Sequence, residues 1–333
     1  MSTMNVLVGW PLHKDLLSEI SGLNQRVKLL NDPDHELVRP DVWPPFPFPE
    51  SLLDLLPSVE TLFTSRIPRN LQSLAPNLKW VHLLSAGVDE VKRANLEYSD
   101  IVFTTSKGVH ATPLSEWVLG AMLAMVKKIP QIVEAQRKRE YRKFIGGELS
   151  GLTAGILGVG NIGLRVAHLC KALDMRVVGT KRSVTSVEKD YGPVDELFPA
   201  HQLPSILEQS DFLIICLPGT EETSHLLGAK EFNQMKKGSY VINVGRGGII
   251  DEKALLAALD AGIVAGGVLD VFAEEPLNQD NPLWQESRLL ISPHIAGNSF
   301  RYEERATKLF LENMHRYLDD IELINKYDPE KGY

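Results

Sequence analysis

Short runs of apolar and β-branched residues alternate along this chain with longer segments in which apolar residues recur every three or four positions. The first pattern is typical of buried strands and the second of amphipathic helices. In the first third of the chain, strands are predicted over Asn5–Val8, Arg26–Leu30, Thr61–Ser65, Trp80–Leu84 and Ile101–Thr105. Such an alternation indicates an α/β protein built on parallel sheets.

The rest of the chain continues the same alternation, most clearly after residue 150. Strands are predicted over Thr153–Leu157, Met175–Thr180, Asp211–Leu217, Tyr240–Val244, Gly266–Val271 and Leu289–Ser292. Helices are predicted over Pro113–Lys127, Leu164–Leu173, Leu203–Gln209, Lys230–Met235, Glu252–Ala261 and Tyr302–Leu318. No repeat of 20–50 residues is evident.

Two segments interrupt this pattern. Trp43–Glu50 contains four prolines in eight residues, which excludes a helix or a central strand there. Its aromatic side chains either line a cleft or, in the favoured interpretation, pack a long connection onto the surface. The basic, polar segment Lys127–Lys143 is interpreted as a solvent-exposed face.

Composition narrows the class of protein. A length of 333 residues favours two domains, and the formal net charge of −8 argues against a dedicated nucleic-acid binder. The chain start lacks the features of a secretory signal, and no apolar run is long enough to span a membrane. Cys170 and Cys216 have no partner spacing, which predicts neither a disulfide framework nor a metal site. A cytoplasmic protein is therefore expected.

A glycine-rich turn supplies the first chemical signal. Gly158, Gly160 and Gly163 form G-x-G-x-x-G directly after a predicted strand and at the start of a predicted helix. In that context the glycines permit a tight turn, close approach of a pyrophosphate, and close packing of helix on strand. Free N–H groups at the helix start then attract the phosphates. The spacing predicts a dinucleotide site.

The end of the next strand bears on which dinucleotide is bound. Enzymes that select NAD place an acidic residue there to accept a bond from the ribose 2′-hydroxyl. This chain instead has Lys181, Arg182 and Ser183, two cations and no carboxylate. The arrangement suits a 2′-phosphate, so NADP is predicted as the preferred cofactor, with NAD possible. The alternative is a solvated basic turn on an enzyme that accepts both.

Four stretches then follow in the order LSGLTAGILGVGNIG, VINVGRGGIIDE, GGVLDVFAEEPL and ISPHIAG, preceded by SAGVD at 85–89 and SKGVHATPLSEW at 106–117. With these motifs the chain resembles the D-isomer-specific 2-hydroxyacid dehydrogenases of the glyoxylate/hydroxypyruvate reductase type. The resemblance implies two Rossmann-like doubly wound parallel-sheet domains with the active site in the cleft between them. It places a flavodoxin-like substrate-binding domain at 1–106 and 299–333, and the dinucleotide-binding domain at 107–298.

The resemblance also implies three catalytic residues. They are Arg246 in NVGRG, Glu275 before the proline of LDVFAEEP, and His294 in SPHIAG. Reduction of a 2-oxo acid moves a hydride to the keto carbon and a proton to its oxygen. His294 would donate that proton, Glu275 would hold the ring and raise its pKa, and Arg246 would bind the substrate carboxylate and polarise the carbonyl.

Further positions follow from the same resemblance. The backbone N–H groups of Ala86 and Gly87 are expected to bind the substrate carboxylate, although a plain turn is the alternative there. Asp270 is expected to contact the nicotinamide carboxamide. The full set of expected cofactor-binding residues is Gly158, Gly160, Asn161, Ile162, Gly163, Thr180, Lys181, Arg182, Ser183, Leu217, Pro218, Thr220, Val244, Gly245, Asp270, His294 and Ala296.

The chain departs from the family pattern at the start of its long helix. Ala111–Glu116 reads A-T-P-L-S-E where the family often has T-D-A-V-A-E, which leaves the substrate range open. His110 lies just before this segment. It is interpreted as a structural histidine in preference to a substrate contact.

The expected activity is NAD(P)H-dependent reduction of a small 2-oxo acid to the D-2-hydroxy acid by a homodimer. Phosphoglycerate dehydrogenase is the rival enzyme, although its biosynthetic forms often carry a further carboxyl-terminal domain for which about 35 residues after Asn298 leave no room. Formate dehydrogenase is disfavoured because it has Gln at the position of Glu275. A dinucleotide-sensing corepressor on the same scaffold is the non-enzyme alternative. No nucleic-acid or membrane partner is expected.

Overall fold

The computed structural model describes residues 3–31 and 48–330, so most of the Trp43–Glu50 segment, residues 43–47, lies outside the described residues. Its strands are β1 Met4–Val8, β2 Val27–Leu29, β3 Thr61–Thr64, β4 Trp80–Leu83, β5 Val102–Thr105, β6 Thr153–Leu157, β7 Arg176–Lys181, β8 Glu188–Tyr191, β9 Val194–Pro199, β10 Phe212–Ile215, β11 Ser239–Asn243, β12 Val264–Leu269 and β13 Leu289–Ile291. Its helices are α1 Lys14–Gly22, α2 Leu71–Leu74, α3 Asp89–Arg93, α4 Ala111–Val126, α5 Ile129–Arg137, α6 Asn161–Lys171, α7 Leu203–Leu207, α8 Ala229–Asn233, α9 Glu252–Asp260 and α10 Tyr302–Leu318.

The chain divides into two compact units. One comprises Met1–Val109 and Ser299–Tyr333, and the other comprises His110–Asn298. The first division therefore falls at residues 109/110 instead of the expected 106/107, and the second falls at 298/299. None of the helices among residues 3–31 and 48–330 has the length and apolar character needed to cross a membrane.

The first unit contains a sheet with the strand order β2-β1-β3-β4-β5 among the described residues, and its pairings are parallel. This is the flavodoxin-like order. One face is covered by α10, whose Ala306, Phe310 and Met314 are buried against it. Phe48, the described aromatic residue of the proline-rich segment, is buried in the core on the sheet's other face.

The second unit contains a sheet with the order β13-β12-β11-β10-β6-β7-β9-β8 among the described residues. The strands run parallel except β8, which pairs antiparallel with β9. Buried residues of α4 and α6 cover one face and those of α7, α8 and α9 cover the other. The predicted fold class, doubly wound parallel α/β, is confirmed.

This strand order determines where ligands approach. From β6 the chain proceeds outward through β7 and β9, then returns to place β10 on the other side of β6. In open α/β sheets, ligands bind outside the carboxyl ends of the strands where the winding direction reverses. That point lies between β6 and β10, and the glycine-rich turn directly follows β6.

The hairpin of β8 and β9 was missing from the predicted elements. Glu188–Tyr191 is exposed and mostly charged, so it lacks the apolar run that marks a buried strand. Such charges are common on edge strands because they discourage pairing with other chains. Helix α5 also lies outside the predicted helices, because the basic, polar sequence of Lys127–Lys143 favours a solvent-exposed face.

Candidate active site

The glycine-rich turn is built for close approach. Gly158 has φ +94°, in the left-handed region. A Cβ on Gly163 would lie 2.4 Å from the carbonyl oxygen of Gly158, so a larger residue would separate α6 from the turn. By contrast, a Cβ on Gly160 would meet nothing within 4 Å. That open space, next to the amino end of α6, fits a cofactor pyrophosphate.

Thr180 and Lys181 end β7 beside this turn. The Thr180 hydroxyl is buried and accepts a hydrogen bond from the Gly158 N–H at 3.3 Å, which holds the two strand ends together. The Lys181 ammonium donates to the Tyr191 hydroxyl at 2.7 Å and lies 4.7 Å from the centre of the Tyr191 ring. Arg182 and Ser183 follow in exposed positions. A 2′-phosphate at this edge would therefore meet the exposed guanidinium of Arg182 and an ammonium that Tyr191 already positions.

The loop that carries Arg246 is held by the side chain of Asn243 and by close packing at Gly247. The buried side-chain amide of Asn243 accepts from the Gly245 N–H and donates to the Arg246 carbonyl, both at 3.0 Å. A Cβ on Gly247 would lie 1.8 Å from the carbonyl carbon of Phe272. The second glycine of the GRGG motif therefore lets the Arg246 loop pack directly on the loop that leads to Glu275.

His294 and Glu275 form a hydrogen-bonded pair. Because the Glu275 carboxylate can only accept, Nδ1 of His294 is the donor, at 2.8 Å from Glu275 Oε2. The other carboxylate oxygen, Oε1, accepts from the Phe272 N–H at 3.0 Å. The side chains are 41 % exposed for His294 and 25 % for Glu275, so the pair remains accessible from one side.

The pair shifts both pKa values in the direction that keeps it charged. The hydrogen bond to Glu275 raises the pKa of His294 above its usual value and outweighs partial burial, which lowers it. Partial burial alone would raise the pKa of Glu275. The hydrogen bonds from His294 and the Phe272 N–H, with the nearby charges of His294 and Arg246, outweigh this and hold the pKa below its usual value. The imidazolium therefore persists to higher pH than it would in an isolated histidine.

Asp270 connects β12 to the loop that carries His294. Its side chain is 1 % exposed. Oδ1 accepts from the Ser292 hydroxyl at 2.6 Å and from the Ile295 N–H at 2.9 Å, while Oδ2 accepts from the Ala296 N–H at 2.9 Å. The Asp270 carbonyl also accepts from the His294 N–H at 2.8 Å. Asp270 therefore anchors the His294 loop on both sides.

Strand adjacency brings the three expected catalytic residues together. Arg246, Glu275 and His294 follow β11, β12 and β13, which are neighbours in the sheet and run parallel. The expected cofactor positions lie at or just after the carboxyl ends of β6, β7, β10, β11, β12 and β13, at the same end of the sheet. They are Gly158, Gly160, Asn161, Ile162, Gly163, Thr180, Lys181, Arg182, Ser183, Leu217, Pro218, Thr220, Val244, Gly245, Asp270 and Ala296.

Two expected positions belong elsewhere. Ala86 and Gly87 lie in the first unit, in the turn after β4. Their backbone N–H groups make no hydrogen bond within the described part of the chain. His110 lies just before α4, and its Nδ1 is 3.1 Å from the Gly297 carbonyl oxygen. This contact agrees with the structural interpretation of His110.

Asn243 and Ser292 were missed in the sequence analysis although both lie inside the matching motifs. Their roles depend on hydrogen bonds to Arg246 and Asp270, and residue type alone does not show these. A polar residue at the end of an apolar strand is the available signal, because a buried amide or hydroxyl needs a partner. Within residues 3–31 and 48–330, no group of three or more His, Cys, Asp or Glu side chains is arranged to hold a metal ion.

Comparisons with known proteins agree with this geometry. Residues 119–296 match the family D-isomer specific 2-hydroxyacid dehydrogenase, NAD binding domain. The glyoxylate reductase of Aeropyrum pernix is 35 % identical over 264 residues, covering 76 % of this chain and 77 % of the relative. The D-3-phosphoglycerate dehydrogenase of Archaeoglobus fulgidus is 34 % identical over 255 residues, which cover 75 % of this chain and 48 % of that enzyme.

Among solved structures, the NADPH-dependent glyoxylate/hydroxypyruvate reductase of Sinorhizobium meliloti, in complex with NADP and sulfate, superposes with a TM-score of 0.79. It is 26 % identical, and the alignment covers 99 % of this chain and 100 % of that one. The match over more than half of the chain, the relatives and the shared architecture lead to one conclusion. The chain belongs to the D-isomer-specific 2-hydroxyacid dehydrogenases, oxidoreductases that use a nicotinamide dinucleotide and act on small 2-oxo and 2-hydroxy acids.

Proposed function

We propose that this enzyme reduces a small 2-oxo acid of the glyoxylate/hydroxypyruvate type to the D-2-hydroxy acid, with NADPH as the preferred reductant. The observation that carries the proposal is the 2.8 Å hydrogen bond between His294 and Glu275. This pair lies at the carboxyl ends of the parallel strands, where Arg246 and the glycine-rich turn also lie. The bound cofactor supplies the hydride. Everything else that the reaction needs, binding, orientation and a proton, comes from side chains and backbone of the protein.

His294 is proposed as the proton donor. Its Nδ1–H is donated to Glu275, so the proton for the keto oxygen is proposed to come from Nε2. As the hydride arrives at the carbon, negative charge develops on that oxygen and the Nε2–H proton moves to it. The raised pKa of His294 keeps this proton in place to higher pH than an unpaired histidine would.

Arg246 and the turn at Ala86 and Gly87 are proposed to hold the substrate carboxylate. A guanidinium suits this task because it binds a carboxylate with two parallel hydrogen bonds, and it polarises a carbonyl next to it. The two backbone N–H groups after β4 add fixed donors that cost no side-chain entropy to orient.

The cofactor preference rests on the charges after β7. A 2′-phosphate adds up to two negative charges, which Asp or Glu at this position would repel and Lys181 and Arg182 attract. A charge-assisted hydrogen bond is worth roughly 1.5–3 kcal/mol, and about 1.4 kcal/mol suffices for a tenfold ratio. Solvent screening reduces the contribution of the exposed Arg182. We therefore expect a preference for NADPH of about tenfold.

A homodimer is proposed as the working form, with the Lys127–Lys143 segment contributing to the interface. In support, α5 exposes an apolar face: Ile129, Ile132 and Val133 are 45 %, 43 % and 39 % exposed. Apolar side chains clustered at the surface are a common mark of an interface between chains.

Steady-state kinetics with glyoxylate, hydroxypyruvate and 3-phosphohydroxypyruvate, each with NADPH and NADH, tests the proposal. We expect turnover with the first two acids, and a kcat/KM about tenfold higher with NADPH. Faster turnover with 3-phosphohydroxypyruvate would assign the chain to phosphoglycerate metabolism instead. Tight cofactor binding without turnover of any acid would support the corepressor alternative. Equal kcat/KM with both cofactors would refute the NADPH preference.

A further inference from the structure

A buried histidine in the first unit has no part in the chemistry described above. His82 lies in β4, fully buried, with its ring centre 5.4 Å from that of Phe63 and 5.5 Å from that of Phe310. Burial lowers the pKa of His82 to about 3, so the ring is neutral at any pH at which the protein functions. A neutral imidazole has one donor nitrogen and one acceptor nitrogen.

The hydrogen-bond partners of His82 determine which ring nitrogen carries the proton and which accepts one. The Ser106 hydroxyl donates its proton to the Leu83 carbonyl at 3.0 Å, so it can only accept from His82 Nε2 at 3.2 Å. Nδ1 of His82 is then the acceptor. It receives the Thr104 hydroxyl proton at 2.7 Å, and that hydroxyl in turn accepts from the Trp80 indole N–H at 2.8 Å. Each of these side-chain donors is thus matched to one acceptor.

The series of hydrogen bonds ends at the turn proposed to bind substrate. The backbone N–H of Ser106 donates to the Leu83 and Ser85 carbonyls, both at 3.0 Å. The Ser85 hydroxyl donates to the Gly87 carbonyl at 2.8 Å, which closes the turn from within. Ser106 therefore links His82 to the first residue of the Ser85–Gly87 turn. The open N–H groups of Ala86 and Gly87 lie in that turn.

We propose that His82 is a positioning residue for the substrate: acting through Ser106, it holds the Ser85–Gly87 turn so that its N–H groups point at the carboxylate of the 2-oxo acid. The inference rests on the proposed function, since it takes that turn as the carboxylate site. A network in which every polar group is satisfied is rigid, and a preorganised donor loses little on binding.

Losing the contact between this turn and the substrate carboxylate should affect KM and kcat differently. The carboxylate is held equally in the ground state and in the transition state, so a displaced turn raises KM and leaves kcat nearly unchanged. We expect His82→Leu and Ser106→Ala to raise the KM for glyoxylate about tenfold, which corresponds to about 1.4 kcal/mol. The dissociation constant of NADPH, measured by fluorescence titration, should not change.

His82→Gln and Thr61→Val complete the set of variants. The glutamine side chain of His82→Gln retains an amide N–H for the Ser106 hydroxyl, so this variant should bring KM most of the way back to that of the unmodified chain. Thr61 is a buried residue at the amino end of β3, where its hydroxyl contacts Met4 Sδ at 3.4 Å. Thr61→Val should therefore lower Tm without changing the KM for glyoxylate.

The outcomes distinguish a failure of the positioning role of His82 from a failure of the proposed function. Unchanged KM in Ser106→Ala and His82→Leu, or an equal rise of KM in Thr61→Val, would overturn the positioning role. Should His82→Leu not fold, Ser106→Ala decides the question alone, because it deletes one oxygen atom. If the unmodified chain reduces none of the 2-oxo acids, the proposed function itself is wrong.

Discussion

Asp270→Asn removes one carboxylate oxygen from the centre of the His294 loop and keeps the shape of the side chain. In the native structure the two oxygens accept from Ser292, Ile295 and Ala296. An asparagine has one oxygen and one NH₂ group, so in either orientation the NH₂ faces a donor. At least one buried N–H or O–H then loses its acceptor.

The expected magnitude follows from these contacts. Losing a hydrogen bond to a charged group costs roughly 1.5–3 kcal/mol, and an unsatisfied buried donor is penalised by roughly 1–3 kcal/mol. We take about 3 kcal/mol for the change in unfolding free energy of the second unit. For a unit of this size, roughly 2–4 °C of Tm is lost per kcal/mol, so Tm should fall by roughly 6–12 °C.

Asp270→Asn should also lower kcat/KM strongly, even at temperatures where the protein stays folded. The same bonds orient His294, and a displacement of about 1 Å at a reacting group can reduce the rate about 100-fold. We therefore expect kcat/KM to fall by about two orders of magnitude. The assay combines thermal unfolding by circular dichroism with glyoxylate reduction well below the new Tm. Saturating NADPH gives kcat/KM for glyoxylate, and varied NADPH gives the KM for the cofactor.

Asp251→Asn provides the matched control. Asp251 Oδ1 accepts from the N–H groups of Lys253 and Ala254 at the start of α9. An asparagine oxygen can accept both bonds and caps a helix as well as aspartate does, so Tm and kcat should both stay close to their native values. Native Tm and native kcat/KM in Asp270→Asn would refute the anchoring role. A raised NADPH KM at native Tm would show instead that Asp270 acts mainly through the nicotinamide carboxamide.

Three further outcomes are expected. His294→Ala and Arg246→Ala should each reduce kcat/KM by about 10²–10⁴-fold with NADPH binding retained, and near-native kinetics in either would contradict its assigned role. Because His294 must be protonated to reduce the substrate, kcat/KM should fall as pH rises through its pKa. Glu275→Gln removes the main cause of the raised pKa, so this decline should move to lower pH, and an unmoved profile would exclude the pair as its origin. Light scattering should give the mass of a dimer, and a variant with Ile129 and Ile132 changed to Asp should shift it toward the monomer, whereas a monomeric native chain would refute the proposed assembly.

Much of the chemistry follows from local sequence. The glycine spacing after β6 indicates a dinucleotide site, because it depends on residue type and near neighbours. The roles proposed for Arg246 and His294 come from the resemblance of the NVGRG and SPHIAG motifs to the family. The apolar runs also predict most strands, since the central strands of a parallel sheet are buried on both faces and read as continuous apolar segments. The exposed, charged edge strand β8 lacks that signal and is not predicted.

Other features depend on partners distant in sequence. The adjacency of β11, β12 and β13 brings Arg246 near His294 and Glu275, and no local pattern specifies strand order. The carboxylate of Asp270 anchors a loop more than twenty residues later, and the Lys181 ammonium is held by Tyr191 on a strand that the apolar pattern did not predict. His82 reads as an ordinary residue of a buried strand until Thr104 and Ser106 are placed on either side of it. Local sequence determines which groups are available and which segments are buried, whereas hydrogen-bond partners are chosen only when long-range packing brings buried donors and acceptors together and each must be satisfied.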